Sequence, residues 1–173
     1  MATSAELLVD GFGRIRENVA DVLDGLTPEQ LTYRVDPEAN PVSWLVWHLT
    51  RVQDDHVAAA FGVPQVWSSD GWAERLGLPT GMTDHGYGHT REHVASVAAA
   101  TAASGLLGEY HEATYAQTVK LVSEVRDADL DRVVDKRWTP PVTLGVRLVS
   151  VLDDDMQHVG QAAYVRGIVL RKG

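Results

Sequence analysis

Val151-Leu152-Asp153-Asp154-Asp155-Met156-Gln157-His158-Val159-Gly160-Gln161-Ala162 is the stretch on which the fold turns. Asp154 and His158 stand four apart, so on a helix they share a face one turn apart. At about 100° per residue, Val151, Ala162 and Val165 fall within roughly 60° of that shared direction. The acid and the imidazole therefore point with the apolar side, toward the interior of a helical bundle. A carboxylate in such a place is costly unless it is paired or bound to a cation. Two readings are open: a local Asp154–His158 ion pair at the edge of a core, or two ligands of a metal.

The helix that carries this stretch is expected from near Pro141 to about Leu170. Three more main helices follow from apolar spacing. The first runs from about Ala5 to Leu23, with Leu8, Phe12, Ile15, Val19 and Val22 on one stripe and Gly25 after it. The second opens at Asn40-Pro41, read as an N-cap followed by proline at the first helical position. It ends near Phe61, before Gly62 and Pro64. The third covers about Leu106 to Val125. Between the second and third lies a long loop, roughly Gly62 to Ser104, with a short helix expected over Thr90–Thr101. A loop of that length inside one domain is usually functional. Strand signals are weak throughout. These features predict an all-α, four-helix bundle filling residues 1–173 as one domain. Pro41-Val42-Ser43 and Asp54-Asp55 recur as Pro141-Val142-Thr143 and Asp154-Asp155, which suggests two related helix pairs.

Composition narrows the function. With 45% hydrophobic and 23% charged residues the chain has enough apolar content for a core and is not of disordered type. A formal net charge of −9 repels phosphate backbones, and basic residues are scattered, so nucleic acid is not an expected partner. The absence of cysteine excludes disulfides, thiolate ligands and a cysteine nucleophile. Met1 to Arg16 lacks the basic start and apolar run of a signal peptide. With no stretch of membrane-spanning type, a cytoplasmic protein is expected.

His48 lies with Trp44, Leu45, Val52 and Ala59 on the inward face of the second helix. Taken alone it reads as a hydrogen-bonded core residue. With Asp154 and His158 on a facing helix it becomes the third member of a candidate metal set, since bundle cores are where facing helices build such sites. Two imidazoles and one carboxylate leave coordination open, as a catalytic rather than structural metal requires. Asp55, two turns on, is read as surface-solvated, with a lesser reading as a group that orients an imidazole.

Trp47-His48-Leu49 together with Asp154 to Gln161 resembles the metal motifs of the DinB-like (YfiT-like) superfamily, four-helix bundles with a three-ligand metal site. The second motif there usually reads His-x-x-x-His-Arg-Gly-Gln. Here aspartate stands in place of the first histidine and Val159 in place of the arginine. The carboxylate form resembles the actinobacterial branch that uses mycothiol, including maleylpyruvate isomerases and mycothiol S-transferases. That resemblance implies a zinc-dependent transferase, active in detoxification, that conjugates mycothiol to small electrophiles, with His48, Asp154 and His158 as ligands. A protein with no thiol of its own must take one from solution, and a metal would bind it as thiolate.

Other readings compete. Reversible thiol addition would make the chain an isomerase of a small dicarboxylate, and Arg51 and Arg166 are the arginines that could hold one. Two histidines and a carboxylate are also the ligands of non-haem iron oxygenases. A non-catalytic metal-binding stress-response protein is the alternative from another class. For the thiol cosubstrate, His89 and Trp67 on the long loop and Arg166 are the candidate contacts, although roof packing suits Trp67 and Trp72 as well. His85, His89 and His93 stand at spacings of four, but Gly86 and Gly88 interrupt any helix there. His111-Glu112 begins like a zinc-protease motif, yet Tyr115 replaces the second histidine. The partners expected are a small-molecule thiol and an electrophile; a homodimer stays open.

Overall fold

The stripe of Leu8, Phe12, Ile15, Val19 and Val22 is buried along helix α1, Ser4–Leu23, in a computed structural model that describes residues 2–172. Thr3 caps α1 with its side chain on the amide of Glu6, and the Glu6 carboxylate returns to the amide of Thr3. This reciprocal arrangement satisfies two donors that the helix start would leave free. A one-turn helix α2, Pro28–Leu31, leads to α3, Val42–Phe61. The loop that follows holds two further single turns, α4 (Val66–Ser69) and α5 (Trp72–Arg75). Then come α6, Arg91–Ser104, and α7, Leu107–Val122. A two-stranded antiparallel pair, β1 (Val133–Asp135) and β2 (Val142–Thr143), precedes α8, Leu144–Leu170.

Helices α1, α3, α7 and α8 form the bundle. Each of α1 and α3 packs on both α7 and α8, so α1 sits diagonal to α3, and α6 covers a further side of α3. This explains why α3 is the most enclosed helix, with every residue from Val42 to Asp54 buried. Helices α3 and α8 run antiparallel: Leu45 and Val165 meet at one end of their seam, Ala59 and Arg147 at the other. No helix among the described residues is long and apolar enough to cross a membrane.

Four expected boundaries move, one of them the end of the third main helix, which stops at Val122 rather than Val125. The second main helix begins at Val42 with Pro41 as the extended residue before it, so Asn40 is not the cap. The last begins at Leu144, because Val142 and Thr143 pair with β1 and the Thr143 hydroxyl caps the amide of Val146. The short helix reaches Ser104, three residues beyond Thr101, and Thr90 caps it.

Candidate metal centre

His48, Asp154 and His158 each bring one ligand atom to a point where all three lie within 4.8 Å of one another. Among the described residues no other group of three such side chains does so. His48 is buried, whereas the side chains of His158 and Asp154 remain 21% and 33% exposed, so the cluster opens to solvent on the α8 side. Nε2 of His158 stands 3.7 Å from Oδ1 of Asp154. The two imidazoles meet edge to face with ring centres 4.7 Å apart, and Trp44 stacks on the outer face of His48 at the same spacing.

Each imidazole is fixed through its other nitrogen. Nδ1 of His48 donates to the carbonyl oxygen of His85. Nδ1 of His158 donates to Oε1 of Gln161 at 2.9 Å. A carbonyl oxygen only accepts, so in both rings Nδ1 carries the proton and Nε2 presents a lone pair. Burial holds His48 below the ordinary imidazole range, which keeps it neutral and able to ligate. Oδ2 of Asp154 is buried without a hydrogen-bond partner. Donor atoms bound at about 2.1 Å to one tetrahedral ion stand about 3.4 Å apart, so side chains whose ligand atoms lie within 4.8 Å of one another need draw in by at most about 1.4 Å. The donor set, the tautomers and the unpartnered oxygen all fit a divalent cation.

The carbonyl that orients His48 belongs to the long loop, and the loop is held from beneath by Arg51. This guanidinium is fully buried one turn from His48. It donates to the carbonyls of Thr83 and Asp84, at 3.1 and 3.3 Å, and to Oε1 of Gln65 and the hydroxyl of Tyr110. Asp54, 3.6 Å away, neutralises it and accepts the amides of Val66 and Trp67 and the Tyr110 hydroxyl. Burial raises the Asp54 carboxyl, and those amides, with the guanidinium, oppose the rise. Gly86 completes the fit. At φ +96° a built Cβ would stand 2.8 and 2.9 Å from the rings of Trp44 and Trp47 and 3.1 Å from His48 Nδ1. Only glycine lets the chain pass that close.

Residues singled out in the sequence divide clearly. Asp55 accepts from Gln65 Nε2 and pairs with His56, so it does not orient His48. Trp67 and Trp72 are buried as roof packing; Trp67 donates to the Met82 carbonyl and lies under Arg51. His89 spends both nitrogens, one accepting from Trp44 Nε1 and the other bonded to Asp84. Arg166 donates to the Asp24 carbonyl and lines a groove between α1 and α8. Asp155 turns into the core, fully buried and without a partner for either oxygen. His111 is buried against Thr50. Gln161, the His85 carbonyl and Arg51 carry duties the sequence reading did not assign. Only Gln161 had a local signal, at three residues from His158.

Comparison with known proteins bears on this geometry. A family model described as mycothiol-S-transferase matches residues 7–170. A solved crystal structure, that of a conserved protein from Enterococcus faecalis, superimposes with a TM-score of 0.86 at 33% identity, covering 98% of this chain and 99% of its own. No protein of curated function matches the chain.

Proposed function

The chain belongs to the mycothiol S-transferase family, and from that premise we propose that it conjugates mycothiol to small electrophiles at a zinc ion held by His48, Asp154 and His158. The observation that carries the proposal is the convergence of two imidazole lone pairs and one unpartnered carboxylate oxygen on a cluster open to solvent on one side. A divalent ion bound there supplies the Lewis acidity that converts a coordinated thiol to thiolate near neutral pH. Because carbonyl oxygens engage Nδ1 of His48 and of His158, Nε2 is the nitrogen each ring has left to offer an ion. Asp154 contributes the single negative charge, so the three ligands together leave a divalent site with net positive charge to attract a thiolate. Trp44 and Gly86 shield the His48 side, which confines approach to the α8 side.

In the transfer itself the thiol proton leaves to solvent and a carbon–sulfur bond forms at the electrophilic carbon. The leaving group departs with the bonding pair. The chain has no cysteine to compete for that carbon. The dicarboxylate isomerase reading has less support, since Arg51 is enclosed by its own network and Arg166 faces another groove. The test is the initial rate with 1-chloro-2,4-dinitrobenzene and either mycothiol or glutathione, before and after chelation. A faster metal-dependent rate with mycothiol is expected. Equal rates that survive chelation would overturn the proposal.

A further inference from the structure

Beside the metal cluster, the segment 35–40 and the outer side of α8 enclose a groove of about 530 Å³, a size typical of small-molecule sites. Gln161 belongs to both places: its Oε1 holds His158 Nδ1, and its side chain lines the groove. The groove's polar groups are largely unspent. The Asn40 amide, the Tyr164 hydroxyl and Nε2 of Gln161 hydrogen-bond to no protein atom among the described residues, and Asp36 uses only Oδ1, on the amides of Glu38 and Ala39. Leu45 and Val165 give an apolar floor, and Tyr164 stands 69% exposed at the rim. None of the lining residues is lysine or arginine.

Amides and hydroxyls free to both donate and accept, over an apolar floor and beside an exposed aromatic ring, are what a polyhydroxylated ring needs from a protein. A carboxylate-bearing thiol would meet Asp36 and no cation. We propose that this groove seats the uncharged two-ring head of the thiol cosubstrate, with its sulfur reaching back to the His48–Asp154–His158 cluster. Tyr164 follows His158 by six residues, a rise of about 9 Å, which a cysteinyl arm and one ring can span. The long loop, where His89 and Trp67 are already committed, is then not the site of thiol selection. The inference rests on the transferase reading and refines it by placing the cosubstrate.

The decisive probe is N-acetylglucosaminyl-inositol, which is mycothiol without its cysteine, titrated into the metal-free full-length protein and followed by ¹H–¹⁵N NMR. Shifts at Asn40, Gln161 and Tyr164 are expected, and Asn40→Ala and Tyr164→Ala should each weaken binding roughly tenfold, the loss of one or two good hydrogen bonds. In metal-loaded protein the same variants should raise KM for mycothiol by a similar factor while zinc content stays that of the wild type. Shifts confined to residues 78–97, or no shifts at all, would overturn the proposal. Because the probe has no thiol, head-group binding in the groove without any transferase turnover would leave this inference standing and remove the transferase reading. Mycothiol-selective turnover with head-group shifts elsewhere would do the reverse.

Discussion

Replacing Arg51 with methionine should loosen the whole loop from residue 62 to 90 while leaving the bundle folded. Methionine fills much of the volume but donates nothing. The carbonyls of Thr83 and Asp84, the Gln65 amide and the Tyr110 hydroxyl each lose a donor, and Asp54 loses its counter-charge at 3.6 Å. Breaking one side of a buried ion pair costs about 3–5 kcal/mol. Asp54 keeps the amides of Val66 and Trp67 and the Tyr110 hydroxyl, so the lower end applies, about 3 kcal/mol. With a urea slope of about 2 kcal/mol per M, the unfolding midpoint should fall by about 1.5 M. Amide exchange should quicken first at Thr83, Asp84 and His85. Because the His85 carbonyl orients His48, zinc affinity should drop by roughly 10–100-fold, the usual cost of losing an outer-sphere partner. Urea titration, hydrogen exchange and competition with a zinc chelator read the three effects separately. A variant with unchanged midpoint and unchanged exchange at residues 83–85 would refute the reasoning.

Two further outcomes follow from neighbouring side chains. Asp154→Asn should lower zinc affinity sharply, whereas Asp155→Asn, which alters a carboxyl facing the core, should leave zinc content near that of the wild type; elemental analysis of both decides whether the right carboxylate has been chosen. His111 is held neutral by burial, its pKa lowered from 6.5 to about 4. A folded-state pKa below the unfolded one means that the unfolded chain binds the proton more readily. Its contribution is intact above pH 6.5 and is lost as the pH falls toward 4, a change of about 3 kcal/mol. His111→Gln should therefore flatten the dependence of urea stability on pH between 6.5 and 4, and an unaltered slope would show that His111 does not govern it.

Apolar periodicity made the bundle legible because it is a local property. The α1 stripe from Leu8 to Val22 is buried as its spacing predicts. The start of α8 was not legible, since Val142 and Thr143 become a strand only by pairing with Val133 and Asp135. His48, Asp154 and His158 could be brought together from helical geometry and family resemblance, as each lies on an inward or seam-facing position. The buried network under the loop could not. Arg51 and Asp54 look like surface residues in the sequence, and what buries them comes from residues 65–67, 83–84 and 110. His89 and Trp67 have the chemistry of pocket residues, yet that same chemistry satisfies the loop's own donors and acceptors.

The unspent side chains of the groove bear on how such a protein could diversify. Asn40 and Tyr164 hold no other part of the chain in place, so changing them alters what can be recognised without eroding what keeps the helices together. Arg51, Asp54 and Gly86 are in the opposite position, since each is enclosed by groups that depend on it. Drift among descendants of this sequence should therefore concentrate at positions such as 40 and 164, and new thiol or electrophile preferences could arise there at little cost in stability. A library randomised at those positions should yield folded protein far more often than one randomised at 51, 54 and 86.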